Sequence, residues 1–256
     1  MLILLPPSES KTGRSRGRPV DPGTLSFPEL TDTRRAVLDA VAKVSAHPSA
    51  AEVLGVSPNL TAEIARNTVL DSAPSLPASR VYSGVLYDAL GHASLDPAAK
   101  RRANRWVVVV SALYGAVRPT DAIAPYRLSM AVNLPGIGPL ASAWKPELAQ
   151  VLPELAGRGL VVDCRSSTYA AAWTPQGALA DRWVQVRVPG ATHMAKHTRG
   201  LVTRHLCQVG RDVRRVSQLL DVLDDAFEVA LTPPERPGRP WVLDAKARSL
   251  TSTNTA

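Results

Sequence analysis

Apolar positions along the chain follow two periods. Residues 2–5 (LILL), 106–110 (WVVVV) and 160–164 (LVVDC) are short, nearly unbroken apolar runs, and 183–188 (WVQVRV) alternates. Runs of this length, rich in Val and bounded by polar residues, predict strands, the unbroken ones buried on both faces. Residues 227–231 and 241–243 predict two more. Helical spacing appears over 34–44, 50–66, 81–90 and 191–210. Asp32 or Thr33 is a candidate cap for the first helix, and Asp96 followed by Pro97 is a helix start. Strands separated by helices predict an α/β fold. The reading is one domain, 1–248, with a central mixed sheet flanked by helices and a frayed tail, 249–256.

Breakers and cations refine this pattern. After the first strand comes PPSESKTGRSRGRPVDPG, a polar loop with Lys11, Arg14, Arg16 and Arg18 and no acid among them. Loops at strand carboxyl ends are where α/β sheets place ligands, so Ser8, Ser10 and Lys11 are candidates. The stretch SALYGAVRPTDAIAPYRLSM, 111–130, pairs tyrosines with arginines: Tyr114 with Arg118, Tyr126 with Arg127. Arg118 precedes Pro119 and is biased to extended backbone. Gly115 permits a bend, and Thr120 or Asp121 is a candidate cap. The expected result is helix, tight turn, helix, with free backbone N–H groups and cations suited to phosphate.

On a helical wheel, 191–210 separates into two faces. Lys196, Arg199, Gly200, Arg204, His193, His197 and Thr203 fall in one arc, and Met194, Thr198, Leu201, Val202, His205, Leu206 and Val209 lie opposite, a largely apolar side. A mid-helix glycine costs about 1 kcal/mol against alanine. Gly200 therefore points to close approach by another backbone or a ligand.

Composition narrows the classes. The chain has 256 residues, 45% of them hydrophobic, enough for a sizeable core. No apolar run is long enough to span a bilayer, and the N-terminal segment lacks a basic region and a cleavage site, so it reads as a strand. Cys164 and Cys207 form neither a disulfide framework nor a zinc motif, which fits a cytoplasmic protein. Walker, G-x-G-x-x-G and G-x-S-x-G motifs are absent, and NLPGIGPL reads as a turn. No cofactor is expected. Iron held by His193, His197 and Asp163 would be too thin a ligand set. The net charge of +8 favours polyanions, although the arginine-rich composition also fits coding bias.

Five blocks carry a resemblance to a known family: MLILLPPSESKT, YSGVLYDAL, SALYGAVRPTDAIAPYRLSM, DCRSSTYAAAW and AKHTRGLVTRHL. In this order, over nearly the whole chain, they resemble the YaaA peroxide stress protein family. The resemblance implies a cytosolic protein tied to survival of hydrogen peroxide, with less free iron and less oxidative DNA damage. It implies an unusual single α/β domain with a helix-hairpin-helix-like element and a positively charged cleft for double-stranded DNA. Carried over, the DNA- or phosphate-binding residues are Lys11, Tyr114, Gly115, Arg118, Tyr126, Arg127, Lys196, Arg199 and Gly200, with Arg204 added from the wheel. This chain departs from the pattern in three places. The DCRSSTY loop lacks the acidic residue often found before the family's tyrosine, the first loop is longer and more arginine-rich, and TPPERPGRP interrupts the last third.

Two functions compete. One is a DNA-binding stress protein that limits iron-dependent damage through salt-sensitive phosphate contacts. The other is an enzyme acting on a nucleotide or another phosphorylated small molecule, with Lys or Tyr as acid or base. A long open groove favours the first, and a closed pocket with a desolvated Lys11 or Lys196 favours the second. The oligomeric state stays open.

Overall fold

The computed structural model describes residues 1–188 and 192–248, with the side chains of Thr192 and His193 left aside. The expected tail, 249–256, lies outside the described residues. Seven strands form the main sheet: β1 (Leu2–Leu5), β2 (Val107–Ser111), β3 (Gly115–Val117), β4 (Val161–Asp163), β5 (Trp183–Arg187), β6 (Phe227–Thr232) and β7 (Trp241–Ala247). Their spatial order is β6-β7-β5-β4-β1-β2-β3. The pairings from β7 to β2 are parallel, and β6 and β3 close the two edges antiparallel. The sheet is mixed and flanked by helices, as the strand and helix pattern predicts.

Parallel strands need long crossovers, and helices fill most of them. These are α1 (Thr31–Ser45), α2 (Ala50–Val53), α3 (Thr61–Arg66), α4 (Ala78–Val81), α5 (Val85–Leu90), α6 (Pro97–Trp106), α7 (Leu140–Ala156), α8 (Ser167–Ala170), α9 (Thr192–Val209) and α10 (Val216–Leu223). Asp96 caps α6 as expected, accepting from the backbone of Ala98 and Ala99. The single helix expected over 50–66 is two, parted by residues 54–60, and 81–90 divides at Tyr82–Gly84. α1 begins at Thr31 without a side-chain cap, so neither Asp32 nor Thr33 serves as one.

The larger correction concerns 111–130. No helix occurs there. β2 turns back at residues 112–114 into β3, pairing Val109 with Val117. The helix-hairpin-helix expected on this segment is a strand hairpin followed by irregular chain. Gly115 adopts φ +70°, and Trp144 packs against it, where a Cβ would stand 2.7 Å from the indole Cε3. Asp121 serves as a turn clasp: its carboxylate accepts from Arg118 N–H at 2.8 Å and from the Ser26 backbone N–H and hydroxyl at 3.1 and 2.8 Å.

β1 lies at the centre of the sheet, its leucines and isoleucine buried between β4 and β2. From β1 the chain crosses to β2 on one side, and it later returns through β4 on the other. The connections therefore diverge at the carboxyl ends of β1 and β4, where open α/β sheets form their crevices.

Candidate anion-binding site

The loop leaving β1 is fastened to the segment after α4. Lys11 bridges Tyr82, and Thr12 N–H donates to Val81 C=O at 2.8 Å. This anchoring sets the half-buried Lys11 ammonium 4.2 Å from the centre of the Tyr126 ring, a cation–π distance. Nζ donates to Ser8 C=O at 2.7 Å, with Glu9 C=O at 3.5 Å. Among the described residues no carboxylate lies within ion-pair distance of it.

The chain contains five tyrosines, and all of them gather here. Tyr82 stacks on Tyr87 at 5.3 Å, and Tyr114 meets Tyr126 edge-on at 5.5 Å. The Tyr87 hydroxyl donates to Pro6 C=O at 2.7 Å. Tyr169 is near enough to Tyr87 and Tyr126 to help hold their phenols up, after burial, which is the main cause. The Tyr126 hydroxyl lies 2.7 Å from Ser111 Oγ and 3.2 Å from the Tyr82 hydroxyl. Ser111 Oγ already accepts from the N–H groups of Leu113 and Tyr114. Its two lone pairs are thus taken, so it donates to Tyr126, which in turn donates to Tyr82. Burial pushes all these phenols well above their ordinary pKa, so they remain neutral donors.

Beside this cluster is a cavity of about 410 Å³, lined by Glu9, Lys11, Glu63, Arg66, Tyr126 and Arg127 among others. That volume is within the range of small-molecule sites. Arg127 reaches it because buried Asn67 grips its backbone: the amide oxygen accepts from Arg127 N–H and the amide nitrogen donates to Arg127 C=O, both at 2.8 Å. Burial, aided by the Arg127 charge and opposed by Glu9, lowers the Lys11 pKa to about 7. Glu9 is held below the ordinary carboxylate range, chiefly by its hydrogen bond and charge contact with Lys196 at 3.2 Å. With Glu9 matched by Lys196, the remaining fixed charges are Arg66 and Arg127 against Glu63. The cavity mouth therefore favours an anion.

Lys11, Tyr126 and Arg127 come together as the sequence expects, and Lys196 joins them through Glu9. The other candidates do not line the cavity. Tyr114 is fully buried, its hydroxyl accepting from Ala124 N–H at 3.2 Å. Gly115 is occupied by Trp144. Arg118 stacks 5.3 Å from Phe27 and donates to Asn104 and Arg105 C=O at the end of α6. Arg199 donates to Val186 C=O on β5. The backbone that approaches Gly200 is the protein's own: a Cβ there would run into Leu86 C=O and stand 2.8 Å from Ala89 Cβ on α5. Arg204 closes the end of that same helix, donating to Leu90 C=O, Gly91 C=O and Ser94 Oγ. At Gly200 and Arg204 the cationic arc thus packs on α5, the close backbone approach that the mid-helix glycine points to, while Lys196 stays exposed, and Met194 and Val209 from the opposite arc are about half exposed. Sequence reasoning missed Glu9, Arg66, Asn67, Tyr82 and Ser111 as parts of the site. The clustering of Tyr82 and Tyr87 in YSGVLYDAL was the one signal available for them.

A second charged corner stands at the end of β4. Arg165 donates through Nε and Nη2 to both oxygens of Asp163, at 2.8 and 2.7 Å, and to Tyr169 and Trp173 C=O. Trp183 Nε1 adds a bond to Asp163 at 3.1 Å. Asp163 is thereby fully engaged, which removes it from the iron-ligand set considered above. His193's side chain lies outside the described residues. Among the described residues no group of three or more His, Cys, Asp or Glu side chains is placed to hold a metal. No helix among them is long and apolar enough to cross a membrane.

Comparison with known proteins matches the sequence to a family. The family model described as peroxide stress protein YaaA matches residues 1–231. A UPF0246 protein of Streptomyces coelicolor is 49% identical over 253 residues, covering 95% of this chain and 97% of the relative. One from Corynebacterium efficiens is 40% identical over 228 residues, 87% of this chain and 91% of the relative. One from a Ruegeria species is 29% identical over 255 residues, 93% and 98%.

Proposed function

The chain belongs to the peroxide stress protein YaaA family, and on that premise we propose that it binds double-stranded DNA during peroxide stress and so limits iron-dependent oxidative damage. The observation that carries this reading is the arginine loop. It is fastened at one end by Lys11 and Thr12 to Val81–Tyr82, and at the other by Arg18 and Pro19 to Pro74–Ser75. Along this tied segment the side chains of Arg14, Arg16 and Arg18 are exposed. Fixed, solvated cations without local acids suit phosphate contacts that carry no base readout. Arg66 and Arg127 line the cavity that Lys11 borders, and Lys196 adjoins it through Glu9.

The test is fluorescence anisotropy with duplex DNA over a salt series. Wild type is expected to lose affinity steeply as salt rises. Replacing Arg14, Arg16 and Arg18 with Ala is expected to flatten the log–log slope by about 2–3, near one unit per lost phosphate contact. Absence of binding at low salt, or an unchanged slope in the triple variant, would overturn the reading. A second reading, a nucleotide or other phosphorylated small molecule as substrate, is favoured by the cavity itself, which is pocket-sized and holds a desolvated Lys11. Calorimetric titration with mononucleotides, compared in wild type and Arg127→Ala, tests it.

A further inference from the structure

Lys11 differs from the chain's five other lysines in what surrounds it. Its amine projects along the wall of a cavity rather than into open solvent, over an aromatic face, with one close carbonyl acceptor. The charged and titratable groups facing it are Glu9, Arg127, Tyr82 and Tyr126. Glu9 is turned to Lys196, Arg127 is cationic, and the two phenols stay protonated. None of these groups ties the amine into an ion pair. Arg127 and Arg66 line the same cavity, with Glu63 the acid beside them.

We propose that Lys11 is a carbonyl-capturing amine, and that the cavity takes an aldehyde bearing a phosphate group, which condenses with Nζ to form an imine. The phosphate would lie on Arg127 and Arg66 while the carbonyl carbon meets the nitrogen over the Tyr126 ring. The N–C bond forms as the carbonyl opens, both amine protons pass to the oxygen, and that oxygen leaves as water. No oxidant or reductant is involved, and added water reverses the step. A desolvated lysine close to half neutral at neutral pH is suited to this attack. The same chemistry is presented by a free sugar phosphate and by the opened sugar of an abasic site in DNA. The first source does not require the DNA-binding reading.

The experiment is reductive trapping. Full-length protein is incubated near neutral pH with glyceraldehyde 3-phosphate, unphosphorylated glyceraldehyde or an abasic-site duplex, each with cyanoborohydride. Adducts are read by intact mass and peptide mapping. The expected small-molecule product carries the mass of the aldehyde less one oxygen, on Lys11. Lys11 should be labelled at least about tenfold faster than any other lysine, as a pKa lowered by several units implies. The phosphorylated aldehyde should outpace the unphosphorylated one, and Arg127→Gln should erase that preference. Lys11→Arg, which keeps the charge and is checked for fold by circular dichroism, should abolish the adduct. Trapping by the triose phosphate alone would identify a small-molecule site, and trapping by the abasic duplex alone a DNA-lesion site. Equal labelling of surface lysines, or an undiminished adduct in Lys11→Arg, would overturn the proposal. Loss of duplex affinity in the anisotropy assay would leave the triose phosphate arm intact, so the two readings fail separately.

Discussion

The carboxyl ends of β4 and β1 lie side by side, yet the charges they carry are matched in one and left open in the other. At β4, Asp163 and Arg165 are both buried, and each is held by several hydrogen bonds. At β1, Lys11 has one close backbone acceptor, a ring face and a cavity. Burial of charge is common to both corners. Donor capacity left unmatched at a cavity wall separates the one that organises the chain from the one that has room for a ligand.

The sharpest way to break the comparison is at β4. Arg165→Ala leaves the Asp163 carboxylate buried without its cation and should cost about 3–5 kcal/mol. Urea denaturation reads it, and a loss within the range of surface substitutions would mean that the two corners are alike after all. At β1 the expected effect depends on pH. The folded-state pKa of Lys11 is about 7 against an ordinary 10.5, so between those values the unfolded chain binds a proton that the folded chain does not. Stability should therefore rise as pH increases from about 7 to about 10.5, and the cost of the buried cation is fully present below 7. Lys11→Met should remove that slope and be the more stable form at the acidic end. Parallel denaturation profiles for the two proteins would refute this. The smallest effect is expected for Glu9→Gln. The Glu9–Lys196 pair is exposed, so stability should change by less than about 1 kcal/mol. Glu9 supports the Lys11 charge, so its loss should lower the Lys11 pKa further, which an NMR titration of the side chain would follow.

The parts of the fold that local pattern could reveal were legible in advance. LILL, VVVV of WVVVV and VVD of LVVDC lie in fully buried parallel strands, with Trp106 ending α6 instead, and their short, Val-rich apolar runs bounded by polar residues are what marks them. The hairpin at Tyr114 was misread because Gly115, Pro119 and Asp121 are turn and cap signals in a helix as well as in a strand pair. Trp144, distant in sequence, decides between them. Arg34 was invisible for a related reason. It is buried because its guanidinium collects the carbonyls of Ser26, Phe27, Tyr114 and Ala116, and backbone acceptors leave no mark in the sequence. In α9, the helical wheel gathers the cations into one arc as candidates for phosphate contact. Arg199 and Arg204 instead turn to carbonyls at β5 and the end of α5, so long cationic side chains there report helix packing rather than solvent. Lys11, Tyr126 and Arg127 could be picked out from their motifs. Glu9 and Asn67, which position Lys196 and Arg127, could not, because their partners lie far along the chain.

The central place of β1 also bears on how the protein is made. β1 leaves the ribosome before either partner strand, yet Ile3 must pair with Val107 on one side and Val162 on the other. At ordinary elongation speeds the second partner follows roughly 10–30 s later. For that interval LILL is an apolar segment with both hydrogen-bonding edges vacant, and the sheet has no middle to grow from. A nascent chain of this design depends on whatever shields its first residues until the last of their neighbours has been synthesised.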